Sequence, residues 1–165
     1  MPWTCSRCGE VHDGLPHDLA FDAPVYWDGG RSADDRIDSD LCRWTDDDGN
    51  RTYFIRGLIT IPVVDDEDDF RFGVWSSLSA QSFERVLDHW DDASRVDEPP
   101  YFGWLSNSIP GYPDTVSLPL DVVTDSVDDR PQFVLHESEH PLAREQREGI
   151  TTERVRELAE LALHA

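Results

Sequence analysis

Two apolar runs near the middle of the chain limit its fold most tightly. Residues 52–61, TYFIRGLITI, are rich in β-branched and aromatic side chains, which favour extended backbone. Residues 69–78, DFRFGVWSSL, alternate: Phe70, Phe72 and Val74 fall on one side, Arg71, Gly73 and Trp75 on the other. Pro62 and the acidic run from Asp65 to Asp69 lie between them. The pattern predicts an antiparallel hairpin with a charged loop.

The flanking segments are read in the same way. Ser79 is a helix cap, and Phe83, Val86, Leu87 and Trp90 share one helical face over residues 80–91, with Pro99 and Pro100 blocking continuation. Residues 101–105, 115–123 and 132–135 read as further strands, with Pro119 placing the second at an edge or a bulge. Gly149 punctuates the chain, Thr151 or Thr152 caps, and Val155, Leu158, Leu161 and Ala162 form the stripe of a C-terminal helix. Strands and helices without regular βαβ alternation point to an α+β fold with a mainly antiparallel sheet and two or three helices. Residues 1–50 are rich in Asp, Gly and Pro and lack apolar period. They read as an irregular arm packed on a core of residues 51–165, within a single domain spanning 1–165.

The arm carries the sharpest chemical motif. Cys5-Ser6-Arg7-Cys8-Gly9 sets two thiols where one metal ion can be gripped by both, and His12 follows within reach. Zinc prefers four Cys or His donors in a tetrahedron. With Cys42, the set Cys5, Cys8, His12 and Cys42 predicts a closed structural zinc site, with His17 as the substitute for His12. Idle thiols in a reducing compartment are the bland alternative. A redox role is disfavoured because no thioredoxin-like βαβ context surrounds the pair.

His136-Glu137-Ser138-Glu139-His140 matches the H-E-x-x-H pattern of zinc peptidases, which works when a helix puts both histidines on one face. Here a strand enters the motif and Pro141 follows it, so helical geometry is disfavoured. Arg56 and Trp75 lie in apolar strands. Arg56 there needs a carboxylate, with Asp40 as one partner, or else serves a ligand. Arg56, Trp75 and His140 are thus the candidate ligand or interface residues. Other acidic runs lack the spacing of a calcium loop.

Composition narrows the partners. The formal net charge is −21 and all 14 basic residues are arginine. Nucleic acid and anionic membranes are disfavoured, because binding them depends on basic groups displacing counterions. Solubility explains such a charge, and so does attraction to a basic protein partner. No apolar run has the length of a membrane span, and the first residues lack a signal-peptide pattern, so a cytoplasmic protein is expected.

The residues taken together resemble the bacterial family catalogued as domain of unknown function 2199, over residues 3 to 164. The resemblance is carried by Cys5-x-x-Cys8-Gly9 with His12 and Leu15-Pro16, by Ser39-Asp40-Leu41-Cys42, and by Tyr53-Phe54-Ile55-Arg56-Gly57 with Ile61-Pro62. It continues through Gly73-Val74-Trp75-x-Ser77-Leu78-Ser79, Phe102-Gly103-Trp104-Leu105, Tyr112-Pro113-x-Thr115 and Arg130-Pro131. It ends in His140-Pro141-Leu142-Ala143, Glu145-Gln146 and Gly149-Ile150. The family pattern holds the three cysteines, His12 and His140, but not dependably His136. It implies a zinc site and brings no activity. The expected function is that of a non-enzymatic, zinc-stabilised domain that binds a protein, including an immunity-like role against a basic partner. The alternative is a metal-dependent hydrolase acting through His136, Glu137 and His140 or through an open zinc site.

Overall fold

The computed structural model describes residues 2–12, 14 and 16–163; Leu15, one of the residues of the resemblance, lies outside them. Among the described residues the strands are β1 (Trp3–Thr4), β2 (Val11–His12), β3 (Asp18–Ala20), β4 (Arg36–Ile37), β5 (Leu41–Thr45), β6 (Arg51–Ile61), β7 (Phe70–Leu78), β8 (Tyr101–Trp104), β9 (Pro119–Val123) and β10 (Gln132–Leu135). The helices are α1 (Ala80–Asp88), α2 (Pro141–Glu148) and α3 (Thr152–Leu163), with a 3₁₀ turn at Ala93–Asp97. The fold is α+β. No helix among the described residues is long and apolar enough to cross a membrane.

The predicted hairpin is the centre of the sheet. β6 and β7 pair antiparallel from Tyr53↔Leu78 to Ile61↔Phe70. On one face Ile55, Ile59 and Ile61 meet Phe70, Phe72 and Val74 in the main core. On the other, Phe54, Arg56 and Leu58 lie opposite Ser77, Trp75 and Gly73. The main-core face is covered by α1 through Phe83 and Val86, by α2 through Leu142 and Ala143, and by α3 through Val155 and Leu158.

The sheet runs β3-β7-β6-β10-β9-β8, with β5 also on β6 and β4 on β5. Two pairings, β3 with β7 and β10 with β6, are parallel and the others antiparallel. The far end then curls back onto β7. Ser76 bridges Leu105, the Ser106 N–H donates to the Trp75 carbonyl at 2.8 Å, and the Trp104 N–H donates to Ser77 Oγ at 3.1 Å. β6, β7, β8, β9 and β10 therefore form a ring, and curling onto a neighbour removes an exposed edge. Gly103 permits this approach, because a Cβ there would overlap Ser76 Oγ and the Ser77 carbonyl oxygen.

Several expectations need correction. The arm is less irregular than its composition suggests: β3 and β5 extend the central sheet. α1 stops at Asp88, three residues short, and Leu87 is exposed rather than on the buried face. Pro119 opens β9 instead of interrupting a longer strand. α2, the third of the two or three helices expected, falls where no apolar stripe marked one; Pro141 starts it, since a proline at the first helical position gives up only an N–H that has no helical partner. The acidic loop is not wholly given to water either. The Asp65 carboxylate accepts the backbone N–H and the hydroxyl of Thr152, both at 2.8 Å, at the start of α3.

Gly103→Ala is expected to destabilise the fold by about 1–3 kcal/mol through overpacking at the β7–β8 closure, read as a lower denaturant midpoint at unchanged slope.

Candidate metal centre

β1 and β2 form a small antiparallel hairpin with Trp3 opposite His12. The connecting turn is held by the Cys5 N–H donating to the Glu10 carbonyl and the Gly9 N–H donating to the Cys5 carbonyl, each at 2.9 Å. Gly9 has φ of +73°, a conformation that glycine adopts without penalty and that turns the backbone around the two thiols. The outcome is convergence: one donor atom each from Cys5, Cys8 and His12 lies within 4.8 Å of the other two. Cys8 Sγ and His12 Nε2 are 3.7 Å apart. Around tetrahedral zinc, metal–ligand lengths of about 2.3 Å for sulfur and 2.0 Å for nitrogen put neighbouring donors roughly 3.5–3.8 Å apart. The Cys8–His12 pair therefore matches the spacing around a zinc ion, and the Cys5 donor lies within about 1 Å of that spacing.

The protein's own groups hold Cys8 in its thiol form. A hydrogen bond with the Glu10 backbone lowers its pKa, but desolvation and the neighbouring Cys5 together raise it further. A bound cation acts in the opposite sense, favouring thiolate.

The hairpin is fastened to α3. Cys5 is buried with Trp3 and Ala159, the Trp3 indole N–H donates to the Gly14 carbonyl at 2.7 Å, and the Trp3 and His12 rings lie 5.0 Å apart. The Ser6 N–H and hydroxyl donate to the two carboxylate oxygens of Glu160 at 2.8 and 2.5 Å. No spacing rule links residue 6 to residue 160, so the tie was invisible in the sequence.

Cys42 is not part of this group. It lies in β5 opposite Phe54, buried with Phe54 and Trp75. Burial, followed by the charges of Asp35 and Asp38, pushes its thiol up to about 12. The closed four-donor set is therefore corrected to three described donors. His17 is not the substitute, since its ring faces Asp68 with Nε2 at 4.0 Å.

The H-E-x-x-H segment is likewise taken apart. His136 leaves β10 and places Nε2 2.9 Å from Asp121. His140 caps α2: its Nδ1 accepts the Leu142 N–H at 3.1 Å, so Nε2 carries the proton, which is directed at the carbonyls of Asp114 at 3.0 Å and Pro113 at 3.2 Å. Both nitrogens of His140 are occupied, and the two histidines do not share a helical face. Trp75 is fully buried, with its indole N–H on the Phe21 carbonyl at 3.0 Å. The Arg56 guanidinium lies 5.7 Å from the Trp75 ring and 4.0 Å from Asp22. The carboxylate of Asp40 goes to Arg130 at 3.2 Å instead, while its carbonyl accepts the Arg56 N–H at 2.8 Å. Arg56 and Trp75 are thus neighbours, whereas both nitrogens of His140 are taken up at the cap of α2.

An α+β domain with a Cys-x-x-Cys knuckle docked on its last helix is the class that fold and site define. The sequence profile of the family described as an uncharacterized protein conserved in bacteria (DUF2199) matches residues 4–150, and the chain belongs to that family. No curated protein and no solved structure matches it.

Hydrogen bonds from the Ser6 hydroxyl and then the Ser6 N–H hold Glu160 below its ordinary value of 4.5. Such a depressed carboxylate contributes its full stabilisation above that value and loses it as pH falls through the folded-state pKa. The Ser6 amide proton signal is expected to titrate with a midpoint below 4.5, and Glu160→Gln is expected to abolish that titration.

Proposed function

We propose that Cys5, Cys8 and His12 hold one zinc ion that stiffens the β1–β2 hairpin on α3, and that the protein is a non-enzymatic cytoplasmic domain binding a basic protein partner. The observation that carries this reading is the convergence of the three donors within 4.8 Å on a surface turn. The ion would replace the Cys8–His12 contact with two metal bonds, so that a turn with few apolar contacts of its own keeps one shape. Support for a binding role comes from the net charge of −21, which favours encounter with cationic surfaces, and from the dispersal of His136 and His140 into a side-chain pair and a helix cap.

A second reading has one observation in its favour. Three described protein donors leave one tetrahedral position for water or substrate, which is the arrangement of catalytic zinc. That reading makes the knuckle a hydrolytic centre.

Elemental mass spectrometry after chelator washing is expected to find one zinc per chain. Cys5→Ser and Cys8→Ser are expected to lose it and to lower the melting temperature, whereas Cys42→Ser keeps the metal. Absence of metal from the untreated protein, or metal retained without Cys5 and Cys8, sinks the proposal. X-ray absorption separates the readings. A water oxygen as fourth neighbour, together with peptidase or esterase turnover lost in His12→Ala, selects the hydrolase.

A further inference from the structure

The second face of the β6–β7 pair holds a pocket unrelated to the metal centre. Strand alternation sends Trp44, Thr52, Phe54 and Ser77 to this face, where Phe54 is buried and Trp44, Thr52 and Ser77 are covered only in part. Tyr26 from the loop between β3 and β4 lies over Trp44 at 5.7 Å and over Phe54 at 5.9 Å between ring centroids, both near-parallel. Across the gap stands Trp104 on the outward side of β8, 47% exposed, with Tyr26 40% exposed. The result is a cavity of about 420 Å³ lined by Tyr26, Trp44, Phe54 and Trp104, with the hydroxyl-bearing residues Thr52, Ser77, Ser106 and Ser117 completing the lining. Behind Trp104 the aromatic surface continues through Phe102 at 4.9 Å to His136, 5.5 Å further on.

The chemistry of the walls selects a cation. Aromatic faces carry negative potential, and a guanidinium lies flat on them while its N–H groups donate to surrounding oxygens. The pocket's hydroxyl oxygens can accept such bonds. The protein uses this pairing itself at the rim, where the Arg31 guanidinium lies 5.5 Å from the Trp44 ring. Charge agrees: residues 28–51 contain eight aspartates against four arginines, and the Asp46–Asn50 turn joins the two strands that supply Trp44 and Thr52. Asp28 accepts the Trp44 indole N–H at 3.0 Å, placing a carboxylate at the edge of the ring.

We infer that this pocket is the docking point for an arginine side chain of a basic protein partner. The inference rests on the binding role proposed above and gives it a site. The exposed rings of Tyr26 and Trp104 beside a hollow, with a partner's arginine between them, are the composition from which strong interface contacts are built.

The test uses the full-length, zinc-loaded protein and three peptides alike except at three positions, which hold arginine, lysine or the neutral isostere citrulline. Titration at about 0.15 M salt screens diffuse attraction. The arginine peptide is expected to move the indole N–H signals of Trp104 and Trp44 and the citrulline peptide to leave them in place. Trp104→Ala, at an exposed position with unchanged melting, is expected to weaken arginine-peptide binding about tenfold or more. Equal binding to Trp104→Ala overturns the pocket alone, since a basic partner then docks elsewhere on the acidic surface. Movement of the same indole signals by the citrulline peptide or by a neutral oligosaccharide overturns the cation assignment. If neither the arginine nor the lysine peptide binds, the basic-partner reading falls with it.

Discussion

A central strand pair with two apolar faces sets the requirements for everything around it. β6 and β7 alternate so that isoleucine and phenylalanine fill one face while Phe54 and Trp75 occupy the other. A sheet of this kind must be covered on both sides to remove its apolar surface from water. Three helices do so on the first face. The second is left to the loops and short strands of residues 16–45, which supply Tyr26, Trp27 and Ile37. Helices cover a face evenly, whereas an irregular segment covers it ring by ring. The aromatic pocket is the part of the second face that the arm leaves uncovered.

Polar groups secure the arm where apolar contact is thin. The Asp35 carboxylate accepts the N–H groups of Arg31 and Ser32 and the hydroxyl of Thr45. Desolvation opposes its charge, but these bonds outweigh it and pull its pKa down to about 2. Arg56 and Arg130 reach toward the Ser39 carbonyl from the sheet side. The Cys-x-x-Cys knuckle follows the same logic at the other end of the arm. Its turn contributes little buried surface, so its shape depends on directed contacts: Ser6 with Glu160, Trp3 with Gly14, and the three convergent donors.

Much of this was legible where side chains repeat with a period. Alternation located β6 and β7 and placed Phe70, Phe72 and Val74 together in the core. The stripe of Val155 and Leu158 located α3, and Ser79 announced the start of α1 by accepting the Ser82 N–H. Strands of two or three residues, such as β1 or β3, are too short to show a period, and their pairing is decided by distant partners. α2 was hidden because its cap is a histidine, outside the usual Ser, Thr, Asp and Asn, so His140-Pro141 read as a stop. Within the candidate site, the local motif Cys5-x-x-Cys8 with His12 was readable, since a tight turn brings near neighbours together. Cys42 was misassigned by residue type alone. The alternation of Leu41, Cys42, Arg43 and Trp44 carried the missing signal, since it puts Cys42 on the same face as Trp44 and Phe54.

The Ser6–Glu160 tie spans 154 positions of sequence. During synthesis the knuckle is made well before the helix it rests on. Until α3 has been made, Cys5 and Cys8 have no helix to pack against, and Cys5 enters its buried setting beside Ala159 only when that helix forms. In that interval the thiols are open to oxidants as well as to metal. Early capture of the proposed ion by the nascent turn would protect both sulfurs before the knuckle and α3 meet.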